Sequence, residues 1–167
     1  MSKERKFFFD SEFIEDGKTI ELISIGIVSE EGKEYYAISR EFNEFDANEW
    51  VIKNVISKLE DNITRKPRSA IRTDILRFVG DSVPIFVANH ASYDWVLLCQ
   101  LFGKMIDLPK TWPTWCFDVR QLEQELGRPK MPEQKDGEHN ALADAKHTKA
   151  CYEFLRDIEK KKKGLKL

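Results

Sequence analysis

Phe7-Phe8-Phe9 runs straight into Asp10-Ser11-Glu12-Phe13, and no other stretch limits the fold as much. Three consecutive phenylalanines read as a buried strand, from Lys6 to Asp10, that delivers its end to two carboxylates. Residues i and i+2 of an extended strand share a face, so Asp10 and Glu12 project side by side. Like charges held that close repel and shift each other's pKa unless something positive lies between them. In isolation such a pair is an ordinary solvated strand end. At the end of a buried strand it is a way of placing hard oxygen ligands for Mg²⁺ or Mn²⁺.

The rest of the chain supplies a frame for that strand. Turn residues at 15–18 and 30–33 separate a β-branched run, Thr19 to Val28, from a third strand, Glu34 to Arg40. Together these predict an antiparallel meander. The period then becomes helical at Asn48 to Leu59 and Ser69 to Val79. Val83 to Ala88 is a short buried strand, Asp94 to Phe102 a helix, and Trp115 to Phe117 a last strand. Arg120 to Leu126 reads as helix, Arg128 to Glu138 as a charged loop, and Asn140 to Glu159 as the final helix. Lys160 to Lys163 begin a basic tail, where a solvated role outweighs contact with nucleic acid.

With 167 residues the sequence suits a single domain spanning 1–167. No apolar run approaches the ~20 residues of a membrane-spanning helix. The charged start, Met1 to Lys6, is not that of a signal peptide. Cys99, Cys116 and Cys151 are widely spaced and odd in number, which suits reduced core thiols in a cytoplasmic protein. The 27 basic and 29 acidic residues leave a net charge of −2. That argues against a large duplex footprint but leaves room for a grip on a few nucleotides at a strand end.

Two further acids stand out by position. Asp94 follows the strand Val83 to Ala88 at the start of a helix, where an acid also simply suits the helix N-terminus. Asp144 sits among small residues in His139-Asn140-Ala141-Leu142-Ala143-Asp144-Ala145, a segment able to approach other backbone closely. His139 ends the charged loop five residues earlier, with an intrinsic pKa suited to taking a proton from water. His90, near Asp94, is the alternative base.

Taken in order, Asp10, Glu12, Asp94, His139 and Asp144 resemble the pattern of the DnaQ-like exonucleases with four acidic residues and a histidine. The segments Phe9-Asp10-Ser11-Glu12-Phe13, Asn89-His90-Ala91-Ser92-Tyr93-Asp94 and His139 to Ala145 carry that resemblance. The run from Asp10 to Gly26, with Glu34-Tyr35-Tyr36-Ala37, Leu98 to Gly103 and Lys130-Met131-Pro132, is similar to RNase AS-type exoribonucleases. Ser11 stands where a threonine is common in that group, and keeps the hydroxyl.

The resemblance implies an α/β ribonuclease H-like fold with a mixed five-stranded sheet flanked by helices. It implies two Mg²⁺ ions, replaceable by Mn²⁺, held about 4 Å apart by Asp10, Glu12, Asp94 and Asp144. His139 would accept the proton of the attacking water. The expected activity is 3′-to-5′ release of nucleoside 5′-monophosphates from single-stranded RNA, with adenylate preference, by a homodimer. A DNA-directed proofreading or repair exonuclease, a non-catalytic nucleic-acid-binding module and a small-molecule phosphohydrolase are the rivals. Ser11, Phe13 and Glu21 are candidate substrate contacts, with Phe13 and Ile14 suited either to a terminal base or to the core. Arg68 and Arg72, one helical turn apart, suit phosphates or a solvated face. Trp95 and Trp112 fit either an interface or a base.

Overall fold

In the computed structural model, which describes residues 3–164, the strands form one mixed sheet. The strands are β1 (Glu4–Glu15), β2 (Ile20–Ser29), β3 (Glu34–Ile38), β4 (Val83–Ala88) and β5 (Phe117–Asp118). Their order across the sheet is β3-β2-β1-β4-β5, with β1 antiparallel to β2 and parallel to β4. The helices are α1 (Glu49–Asn54), α2 (Arg68–Val79), α3 (Ser92–Phe102), α4 (Val119–Glu125) and α5 (Ala141–Gly164). The meander, the later parallel strands and the five-stranded count agree with the sequence reading.

The central place of β1 explains its phenylalanines. Phe7 and Phe9 point to one face, in a cluster with Ile71 and Ile75 of α2 and Leu97 of α3. Phe8 points to the other, against Tyr152 of α5 with ring centroids 5.3 Å apart. All three are buried, as a strand covered on both faces requires. A third cluster gathers Ile14, Ile23, Ile38, Val51 and Val55 at the site end of β1 and β2.

Several boundaries differ from those expected, among them β3, which ends at Ile38 and not Arg40, and α3, which starts at Ser92 and not Asp94. β1 continues through both carboxylates to Glu15, because β2 stays paired with it to Ile20. The helix expected over Asn48 to Leu59 breaks at Asn54, and Ile56–Lys58 form a 3₁₀ turn. The last strand is only two residues long, pairing Phe117 with Val87 and Asp118 with Ala88. α5 runs on through the lysines, which are tied to the helix by pairs such as Lys163–Glu159 at 2.8 Å. Of the basic tail, residues 165–167 lie outside the described residues. The three cysteines are free thiols, two of them buried, as expected.

Candidate active site

β4 ends its pairing with β1 at Phe8↔Val87, whereas β1 runs seven residues further. The edge of β1 beyond Phe8 is therefore open on the β4 side, and α3 fills the gap. Ser11 N–H donates to Asp94 Oδ1 at 2.8 Å, and the Ser11 hydroxyl donates to the same oxygen at 2.5 Å. Asp94, 6% exposed, lies in the first turn of α3 rather than at its start, where the helix dipole favours a carboxylate.

α5 brings the fourth carboxylate from the opposite face. Its residues Ala141 and Ala145 are fully buried, so its first turn lies close on the sheet. Gly26, paired with Asp10 across β1 and β2, makes that approach fit. A Cβ there would collide with the backbone of Ala141 and Leu142. The Asn140 side chain caps α5 by accepting from Leu142 and Ala143 N–H at 3.1 Å. Asp144 then accepts from His139 N–H at 2.9 Å and from the Gln134 amide at 2.5 Å.

Glu12, His139 and Asp144 each present a ligand atom, and the three atoms lie within 4.8 Å of one another. Burial pushes the Glu12 carboxyl up to about 8, helped by the charges of Asp144 and Asp94; Lys58 opposes weakly. Burial, then Asp94, Glu12 and Asp144, hold Asp10 well above the usual range. Asp94 is pushed up to about 6, chiefly by burial, although its bonds from Ser11 work the other way. Asp144 is also raised, again mainly by burial. Among the described residues none of these four acids makes a salt bridge. Convergent oxygen donors with no ion-paired protein cation fit hard divalent metal ions.

Two adjoining clefts of about 260 and 290 Å³ meet here, sharing Asp10, Asn89, His90, His139 and Asp144. Phe13 lines the first and stacks edge-on with Tyr93 at 5.4 Å. His90 is exposed, with φ 55°, and its N–H donates to Asp118 Oδ1 at 3.1 Å. Asp118 also accepts from Ala91 N–H at 3.2 Å and Arg120 N–H at 2.8 Å, so one carboxylate fixes that turn and caps α4.

Several residues singled out in the sequence lie elsewhere. Glu21 is outside both clefts and accepts from Asn43 N–H at 3.3 Å. Ile14 is core. Arg72 lies over the Phe102 ring, 5.4 Å from its centroid. Arg68, which opens α2, also lies outside both clefts. Trp95 and Trp112 pack on Phe86 at 5.8 and 5.0 Å, Trp112 within the core and Trp95 partly buried against it. Tyr93, Gln134 and Trp50, which the sequence reading passed over, are at the site. Only Tyr93, next to Asp94 in a motif, carried a signal that could have found it.

Comparisons with known proteins identify the family. The profile of the Rv2179c-like family, described as a 3′-5′ exoribonuclease Rv2179c-like domain, matches residues 5–155. The chain is 44% identical over 147 residues to the 3′-5′ exoribonuclease Rv2179c of Mycobacterium tuberculosis H37Rv, covering 84% of this chain and 87% of that protein. The counterpart MT2234.1 of strain CDC 1551 matches equally. Among solved structures, a zinc-bound complex of E. coli exonuclease I with single-stranded DNA superposes with TM-score 0.65 at 11% identity. That match covers 93% of this chain but 41% of exonuclease I. A full-length 3′-exonuclease gives 0.52 at 13% identity, covering 94% of this chain and 84% of that one. Such identities speak for the ribonuclease H-like fold alone, whereas the family profile spans most of the sequence. The chain belongs to the Rv2179c-like 3′-5′ exoribonuclease family.

Proposed function

We propose that this protein is a divalent-metal-dependent exonuclease that shortens single-stranded RNA from its 3′ end, releasing nucleoside 5′-monophosphates. The observation that carries the reading is the convergence of Asp10, Glu12, Asp94 and Asp144, from two faces of the sheet, beside His139. The four carboxylates would hold two Mg²⁺ ions, with Mn²⁺ able to replace them. Bound there, the ions would neutralise phosphate charge and acidify water.

The chain's own residues do the rest. A ring nitrogen of His139 accepts the proton of the attacking water, and the bond from His139 N–H to Asp144 ties the base to the carboxylates. Ser11 keeps Asp94 aimed inward through two hydrogen bonds. Phe13 and Tyr93 offer an aromatic wall at the cleft for the terminal base or ribose. RNA over DNA, with adenylate preference, is proposed from the relatives' described activity and the sequence likeness, as are homodimerisation and a cytoplasmic location. No helix among the described residues is long and apolar enough to cross a membrane.

The test uses 5′-labelled RNA and DNA oligomers of matched sequence, with Mg²⁺ and then with chelator. The expected result is an RNA ladder shortening from the 3′ end, lost on chelation, and fastest on poly(A) among homopolymers. Preferential shortening of DNA would move the protein to the proofreading or repair class. Cleavage of neither would leave a nucleic-acid-binding module. A monomer in sedimentation at working concentration would refute the dimer.

A further inference from the structure

We propose that Trp50 and Lys58 form a clamp that positions His139 against the carboxylates. The inference rests on the reading of His139 as proton acceptor. His139 ends a segment, residues 126–140, that has neither helix nor strand, and its φ of 66° is in the left-handed region. Few non-glycine residues adopt that conformation, although histidine does so more readily than most, and here it sets the direction in which the side chain leaves the loop. The bond from its N–H to Asp144 restrains the backbone but leaves the imidazole free to turn.

The missing restraint comes from a segment some 80 residues earlier in the chain. The Trp50 indole meets the His139 ring edge-on, with centroids 4.9 Å apart and planes at 80°. Lys58 Nζ donates to the Glu138 carbonyl at 3.4 Å, one residue before the histidine. Trp50 is 54% exposed, so burial of its own surface gives little reason for a tryptophan there. Lys58, also exposed, makes no ion pair among the described residues.

The clamp is anchored to the strand that carries the acids. Val51 and Val55, on the same segment, are buried against Ile14, which lies two residues past Glu12 on β1. The histidine is thereby held relative to Asp10 and Glu12 through packed core, and not through its own loop. A base displaced by about 1 Å can lose roughly 100-fold in rate, so partial loosening is expected to lower kcat more than substrate binding.

Trp50→Ala, Trp50→Phe and Lys58→Met are assayed in the full chain with Mg²⁺ and labelled RNA. The first is also combined with His139→Ala, and hydrogen exchange is followed over residues 136–140. Trp50→Ala should lower kcat roughly 10-fold with KM within about two-fold, and Trp50→Phe should recover most of it. In the His139→Ala background Trp50→Ala should cost nothing further. Exchange over 136–140 should quicken in both Trp50→Ala and Lys58→Met. A raised KM with unchanged kcat would make Trp50 a base-stacking residue and overturn the clamp. So would an equal loss in the His139→Ala background, or unchanged exchange. If His139→Ala itself keeps full turnover, the proton-acceptor role fails, and with it the positioning of a base.

Discussion

Replacing Glu12 by glutamine should make the metal-free protein more stable at pH 8 while destroying its activity. The Glu12 carboxyl, normally near 4.5, is pushed up to about 8 by burial and by Asp144 and Asp94. Below about pH 4.5 it is protonated in the folded and unfolded chain alike, and it costs nothing. As pH rises from there to about 8, the unfolded chain releases this proton while the folded chain retains it, so stability falls. Above about pH 8 the loss is complete and constant. At ~1.4 kcal/mol per pH unit the full effect approaches about 5 kcal/mol. Glu12 is partly exposed, and screening brings the expected loss to about 1–3 kcal/mol.

Urea unfolding in chelator, at intervals from pH 5 to pH 9, measures this directly. The parent should lose stability across the range. The glutamine variant should lose less, keeping only the shallower fall due to Asp10, Asp94 and Asp144, and should exceed the parent at pH 8. Saturating Mg²⁺ should reverse the order, because it binds the folded parent more tightly. A parent curve that is flat or rises between pH 5 and 8 would refute the electrostatic account. A variant curve as steep as the parent's would locate the cost elsewhere.

Other substitutions probe the frame around the site. Gly26→Val should destabilise by about 1–3 kcal/mol or more and lower turnover, since its side chain meets the α5 backbone at Ala141 and Leu142; parent-like unfolding would show that α5 can withdraw freely. Asp144→Asn should lower turnover roughly 100-fold or more without unfolding the chain, with circular dichroism and labelled RNA as the two readouts; retained activity would remove Asp144 from the metal set. Phe86→Ala, at a fully buried ring touching Phe7, Phe9, Trp95 and Trp112, should cost about 3–5 kcal/mol in urea unfolding. A loss below about 1 kcal/mol would mean that the cluster closes over the vacated space.

What the sequence determined by itself was local in origin. A run of phenylalanines marked β1, β-branching and partial alternation marked β2, helical spacing marked α2, and the acids and His139 stood out by their place at the ends of strands, helices and a loop. Each signal arises within a few residues, where backbone geometry fixes which side chains share a face. Boundaries set by a partner were less legible. β1 extends past its phenylalanines because β2 stays hydrogen-bonded there, and β5 is short because only Phe117 and Asp118 reach β4.

The fine structure of the site was decided by tertiary contacts alone. Nothing near Trp50, Lys58 or Gln134 in the sequence says that they meet residues 134–144, because those meetings are made by packing segments distant along the chain. Glu21 shows the converse: an acid conspicuous in an apolar strand proved to turn to Asn43 N–H, away from the clefts. Gly26 belongs with them, an ordinary glycine within a strand until α5 is laid across it. Sequence named the proposed reacting groups because their chemistry is carried by residue type. Their spacing, their raised pKa values and the hold on the histidine come from burial and approach, which exist only once the sheet and α5 are packed.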